Sequence, residues 1–315
     1  MRALVLAAVV ASIGAAMTGG GWAEEAFVTN QLSNNLTVVD LATARPVATI
    51  AIDGKPAGVA VTPDGRFAYV TSPDTKALTV VDAVARRVIG RIDVGGGPLG
   101  VAVAPDGAAV YVADWYAAAV RVIDPKLQRV IADIAVGASP SGLAVTSDGR
   151  LLLSADRDAD SVSVIDTATR ERRATIKVGA RPFGVTIDAE GRRAYTANVG
   201  SNDVSVIDIA ENREIGRVKT GLRPYAVALA QGRGFVTDQY DGTVTVFDLL
   251  TLAPVKRINV GDYPEGIAAT SDGLRIIVAN WESNSISVID AVELKVTGEI
   301  KVGDGPRAFG AFLRR

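Results

Sequence analysis

Beyond residue 23 this 315-residue chain contains no histidine, no cysteine and no methionine, because Met1 and Met17 are its only two Met residues. Soft and borderline metals need thiolate, imidazole or thioether donors, and haem draws its axial ligand mostly from the same set. The composition therefore argues against a zinc, copper or haem centre, and no cofactor is required by it. It equally removes Ser-His-Asp and Cys-His catalytic machinery. Hard-ion sites built from oxygen ligands stay open. A basic excess is lacking too: 33 Lys and Arg stand against 35 Asp and Glu, a formal charge of −2. No basic stripe is present, so the electrostatic footprint of nucleic-acid binding is missing. No apolar run beyond the N-terminal one has the length to span a membrane.

That N-terminal run reads as a secretion signal. Met1 and Arg2 supply a short positive start, Ala3 to Met17 an apolar stretch, and Gly21-Trp22-Ala23 a small-x-small cleavage site. The expected division is a signal peptide over 1–23 and a single domain over 24–315. The mature protein is expected to be periplasmic or secreted and to act as a monomer.

What is present is repetition. An Asp ending an apolar run recurs at Asp40, Asp82, Asp124, Asp166, Asp208, Asp248 and Asp290, at intervals of 42 residues with one of 40. Pro keeps the same step at Pro56, Pro98, Pro140, Pro182, Pro224, Pro264 and Pro306. So does a small polar residue at Asn30, Ser72, Asp114, Asp156, Asn198, Asp238 and Asn280. A period near 42 residues with strand-like content predicts an all-β, seven-bladed β-propeller. The second copy shows the four strands of a blade. Gly58 to Thr62 (GVAVT) precedes a Pro63-Asp64-Gly65 turn, and Phe67 to Thr71 (FAYVT) follows it. Leu78 to Asp82 and Arg87 to Val94 complete the set.

The repeat is out of phase with the chain ends. Phe27 to Asn30 matches a second strand, whereas Pro306 to Leu313 matches a first strand. The end of the chain is therefore expected to complete the blade begun by its start, which removes the free edges of the ring.

The motif copies read FVTN at Phe27–Asn30, YVTS at Tyr69–Ser72, YVAD at Tyr111–Asp114 and YTAN at Tyr195–Asn198. FVTD follows at Phe235–Asp238 and IVAN at Ile277–Asn280, and the partner motif SVSVID stands at Ser161–Asp166. On these motifs the sequence resembles the YVTN-repeat family of secreted β-propellers over essentially the whole mature chain. The resemblance implies seven blades and leaves function open, since the scaffold hosts many roles. Signal, size and copy number are also similar to exported propellers associated with pyrroloquinoline quinone (PQQ)-dependent oxidation systems. Nothing matches the active site of the sugar-lactonase propellers specifically.

Strand order puts the Pro-containing crossovers and the second-to-third-strand loops on one face, called the top. These loops differ between copies, whereas the bottom turns are alike, so the top is the expected binding surface. There the residues flanking the repeated Pro are bulky or charged in four successive copies: Arg181, Phe183, Arg223, Tyr225, Tyr263, Glu265 and Arg307. Guanidinium groups beside aromatic faces suit a planar anion; alternatively, these Arg residues balance acidic top loops. Trp115, Tyr116, Tyr240 and Trp281 are candidate partner anchors, or else blade-packing side chains. Asp156, Asp158 and Asp160 have the one-three-five spacing that opens a calcium loop, but Ser161 and Thr167 stand where its Gly and Glu belong. A solvated acidic loop is the competing reading. The seven repeated Asp residues read as turn caps. Two functions follow: a non-catalytic binding or scaffold module for a small anionic ligand or a periplasmic partner, and a metal-assisted hydrolase or lactonase using mouth carboxylates.

Overall fold

The computed structural model describes residues 24–315, so the expected signal over 1–23 lies outside them. Seven four-stranded antiparallel sheets are arranged as blades. Blade 2 is typical, with strands Val59–Val61, Phe67–Ser72, Ala77–Asp82 and Arg87–Asp93 running from the channel outward. Blades 3 to 7 cover residues 98–135, 140–177, 182–219, 224–259 and 264–301. Among the described residues no helix is long and apolar enough to cross a membrane.

Blade 1 is assembled from both chain ends. Its strands Glu25–Asn30, Asn35–Asp40 and Arg45–Ala51 take Leu313–Arg314 as their innermost partner, with Ala26 opposite Leu313. The expected closure is present, and ion pairs reinforce it. Glu25 is buried and meets Arg314 at 3.0 Å and Arg86 of blade 2 at 2.7 Å.

The burial pattern follows the radius. Second and third strands are nearly continuous apolar runs, such as FAYVTS and ALTVVD, because both of their faces pack on neighbouring blades. Outer strands alternate, as RVIGRID does, because they form the exposed rim. Near the axis the blades approach so closely that a side chain does not fit. A Cβ on Gly58, Gly100 or Gly142 would fall 2.2, 1.9 or 2.5 Å from a carbonyl oxygen of the next blade. This explains the Gly two places after Pro in most copies.

The repeated Asp residues are turn caps. Asp82 Oδ1 accepts the backbone N–H groups of Val84 and Ala85, and Asp40, Asp124, Asp166, Asp248 and Asp290 repeat the pattern. Asp208 accepts from Glu211. These N–H donors hold the carboxyls of Asp40, Asp124, Asp166, Asp248 and Asp290 below the usual range.

Candidate functional site

The top face owes its shape to one backbone device. Lys55, Ser139, Arg181, Arg223 and Tyr263, each just before the repeated Pro, adopt φ between 52° and 57°. This left-handed region is costly for residues with a Cβ. A side chain from the preceding blade's loop holds several of them there. Asn34 Oδ1 accepts the N–H of Lys55 at 2.9 Å, Asp160 that of Arg181 at 2.8 Å, and Asn202 that of Arg223 at 2.8 Å. The turn leaves Arg181 and Tyr263 exposed on the top surface.

Three of the expected mouth residues are instead buried. Phe183, Tyr225 and Glu265 are 8%, 2% and 5% exposed. Phe183 and Tyr225 stack at 4.3 Å between ring centroids, and Phe309 joins them at 5.1 and 5.5 Å. Beside this plug Glu265 accepts from Arg307 Nε at 2.7 Å and from Gln239 Nε2 at 2.6 Å. Arg307 also donates to the Tyr225 hydroxyl. Burial opposes the charge on Arg307, but Glu265 and Tyr225 beside it keep the guanidinium protonated. Burial pushes the Glu265 carboxyl upward against the pull of Arg307, and it raises Tyr225 as well. This group is a closed polar network under the rim, in which Arg307 pairs with another mouth candidate, Glu265, and not with an acidic top loop. Phe309 and Gln239 were not among the sequence candidates.

The other candidates form an arc in which Tyr240 and Tyr263 are exposed and Arg223 and Trp281 half-buried. Trp281 lies 6.3 Å from Tyr263, and Tyr263 lies 5.7 Å from Tyr240. The Arg223 guanidinium sits 5.0 Å from the Tyr240 ring centroid and donates to its hydroxyl at 3.0 Å. Tyr240 is 56% exposed. Neither Arg181 nor Arg223 has a carboxylate within ion-pair distance among the described residues, and Arg223 Nε is buried without an acceptor. In the loop whose Asp160 caps Arg181, Arg157 stacks 5.4 Å from the Trp115 ring and pairs with Asp158 at 2.6 Å. Trp115 leans on Phe183 at 6.5 Å and is half-buried, whereas Tyr116 is 81% exposed. The arrangement offers cations beside aromatic faces, which is the chemistry of anion and partner recognition.

The three alternating carboxylates are not brought together. Asp156 is fully buried and accepts from Ser154, Ser163 and the Gly137 N–H. Asp158 faces Ser139 and Arg157, and Asp160 caps Arg181. Among the described residues no group of three His, Cys, Asp or Glu converges as a metal cage. Burial raises the Asp156 carboxyl, as it does that of Asp238 at the same repeat position. Asp238 likewise binds Thr243, Thr245 and the Gly221 N–H, so this position clasps the top loop in each of these blades.

The sequence model of the YNCE-like β-propellers matches residues 8–109 and 123–312. No curated protein matches the chain in sequence. Hydrazine synthase of Kuenenia stuttgartiensis is similar in structure, with TM-score 0.74 and 22% identity over 81% of this chain and 89% of that one. A functionally unknown protein of Desulfotomaculum acetoxidans superposes with TM-score 0.76 and 17% identity, over 90% and 99% of the two chains. The dihydro-heme d1 dehydrogenase NirN, solved in complex with DHE, gives 0.69 and 17%, over 90% of this chain and 74% of its own. At these identities the likeness concerns the fold.

Proposed function

Starting from a chain that belongs to the YNCE-like β-propeller family, we propose that it is an exported, non-catalytic binding module whose top face takes a planar anionic ligand. The observation that carries this reading is the half-buried Arg223. It stacks on Tyr240 in line with Tyr263 and Trp281, has no acid partner, and stands one blade away from the equally unpaired Arg181. An unneutralised guanidinium against aromatic faces favours a flat carboxylate through stacking and paired hydrogen bonds. Rigid β-scaffolding on every side keeps such a surface preorganised.

The hydrolase reading has less support. A general base must have a free oxygen directed at substrate. Both oxygens of Glu265, the mouth carboxylate, are engaged by Gln239 and Arg307.

A role beside a PQQ-dependent oxidation system is the specific form of the proposal, since PQQ is planar and carries several carboxylates. A thermal-shift screen of residues 24–315 against PQQ, Ca²⁺, lanthanide ions and sugar lactones tests it. Native-state binding raises the melting temperature, with a stabilisation that grows as the logarithm of ligand concentration over Kd. The proposal expects a rise with PQQ. A rise with a lactone accompanied by turnover would replace it with the enzyme reading.

A further inference from the structure

The closing segment differs from the six other inner strands in a way that reshapes the channel. In blade 2, Val61 pairs with Ala68 and lies five residues after Pro56. In blade 1, Leu313 pairs with the equivalent Ala26 but lies seven residues after Pro306. The two extra residues turn the segment into the channel. There it bonds to the inner edge of blade 2, with Phe309 O accepting from Val59 N and Ala311 O from Val61 N, both at 2.9 Å. Gly310 makes this approach feasible, having φ of 123° and leaving no room for a Cβ, which would lie 2.6 Å from Val59 O. Phe309 then reaches Phe183 and Tyr225 and shuts the upper end.

Below this plug is a cavity of about 570 Å³. The side chains in its wall are almost all aliphatic, with half-buried Val103, Ala144, Ile187 and Ala268 among them, while the inner strands' backbone groups supply most of its polar surface. The hydroxyl of Thr186 is already bonded to Val227 O at 2.6 Å. The one charged side chain in the wall is Arg315, whose Nη2 rests on Ala269 O at 3.2 Å with no carboxylate at ion-pair distance among the described residues. The acids of nearby bottom turns, Asp64, Asp148, Asp188 and Asp272, are engaged by N–H groups of their own turns.

We propose that this cavity is a second binding pocket, separate from the top face, for a small amphiphile with an apolar body and one anionic head. A cavity of this volume lined by aliphatic side chains, with Thr186 and Arg315 the polar ones among them, has the character of a ligand site. The plug requires entry from below with the apolar end leading, which leaves the head at Arg315.

Fluorescence titration of residues 24–315 with 8-anilinonaphthalene-1-sulfonate, followed by displacement with octanoate, octanol or octyltrimethylammonium, tests this. Saturable binding to the native protein is expected, with octanoate the best competitor. Ala144→Trp and Ala268→Phe fill the cavity from different blades, and either one that retains the native melting transition should lose the probe. Arg315→Ala should weaken octanoate about three- to fivefold, as for an exposed ion pair, and leave octanol unchanged. Absence of saturable binding would overturn the proposal. So would unchanged affinity in a folded cavity-filling variant, or octyltrimethylammonium competing as well as octanoate.

Discussion

Arg307 donates to Glu265 across 2.7 Å, and the two occupy the same repeat position in successive copies. The pair ties the closing segment to blade 7 beneath the top rim. Removing one partner of a buried ion pair leaves the other charge uncompensated, at a typical cost of about 3–5 kcal/mol. Glu265→Ala and Arg307→Ala should each be strongly destabilising in urea denaturation, and Glu265→Leu/Arg307→Met less than the sum of its single changes. Additive losses in that double-mutant cycle would show that the pair does not act as a unit.

Closure itself is testable by truncation. Deleting 306–315 removes the inner strand of blade 1 together with Phe309 and Arg307. The remaining chain should lose its cooperative thermal transition. Phe309→Ala alone should cost roughly 3–5 kcal/mol, the usual range for truncating a buried aromatic. A truncated protein that melts as the full chain does would disprove closure by the C-terminal segment.

The buried clasp residues give a pH signature. Burial raises the Asp156 and Asp238 carboxyls above their unfolded values near 3.9. A raised folded pKa means that the folded state binds protons more readily. Stability from these groups therefore falls as pH rises from about 4 through the folded values. Asn occupies the same position in Asn198 and Asn280, so Asp156→Asn and Asp238→Asn should fold. Their stability relative to wild type should improve between pH 4 and pH 7. A relative stability that is flat or declining over that range would contradict the assignment.

The turn caps have the opposite sign. Backbone N–H groups lower the carboxyls of Asp40, Asp248 and Asp290, so their contribution is present above about pH 4 and lost as pH falls through their folded values. Asp248→Asn should accordingly lower the melting temperature at pH 7 and have a smaller effect near pH 2.5. An equal effect at both values would mean that charge plays no part in the cap.

The architecture was legible because three markers recur in one register, and the out-of-phase ends made blade 1 readable as a composite. The mouth was legible only in part. The repeat places the residue after Pro near the channel mouth, but whether it lies open there depends on what crosses the channel. The sequence places Phe183 and Tyr225 at the mouth, and Phe309 covers them because its segment is two residues longer than the other inner strands. That spacing, seven residues from Pro306 to Leu313, was available in the sequence as a departure from the repeat. The role of Asp160 is legible only by comparing copies, because its cap reaches 21 residues along the chain, as those of Asn34, Asn202 and Asn284 at the same repeat position do.

The central claim is that function resides in the unpaired Arg residues of the top face. Calorimetric titration of residues 24–315 with PQQ, in parallel with Arg181→Ala/Arg223→Ala, tests it most directly. Arg181 is exposed and Arg223 half-buried with no acid partner, so the variant should still fold, which its thermal transition checks before titration. The account predicts saturable binding to wild type, weakened at least about tenfold in the variant, as for loss of charged hydrogen bonds. No binding to wild type, or equal binding to both proteins, would contradict it.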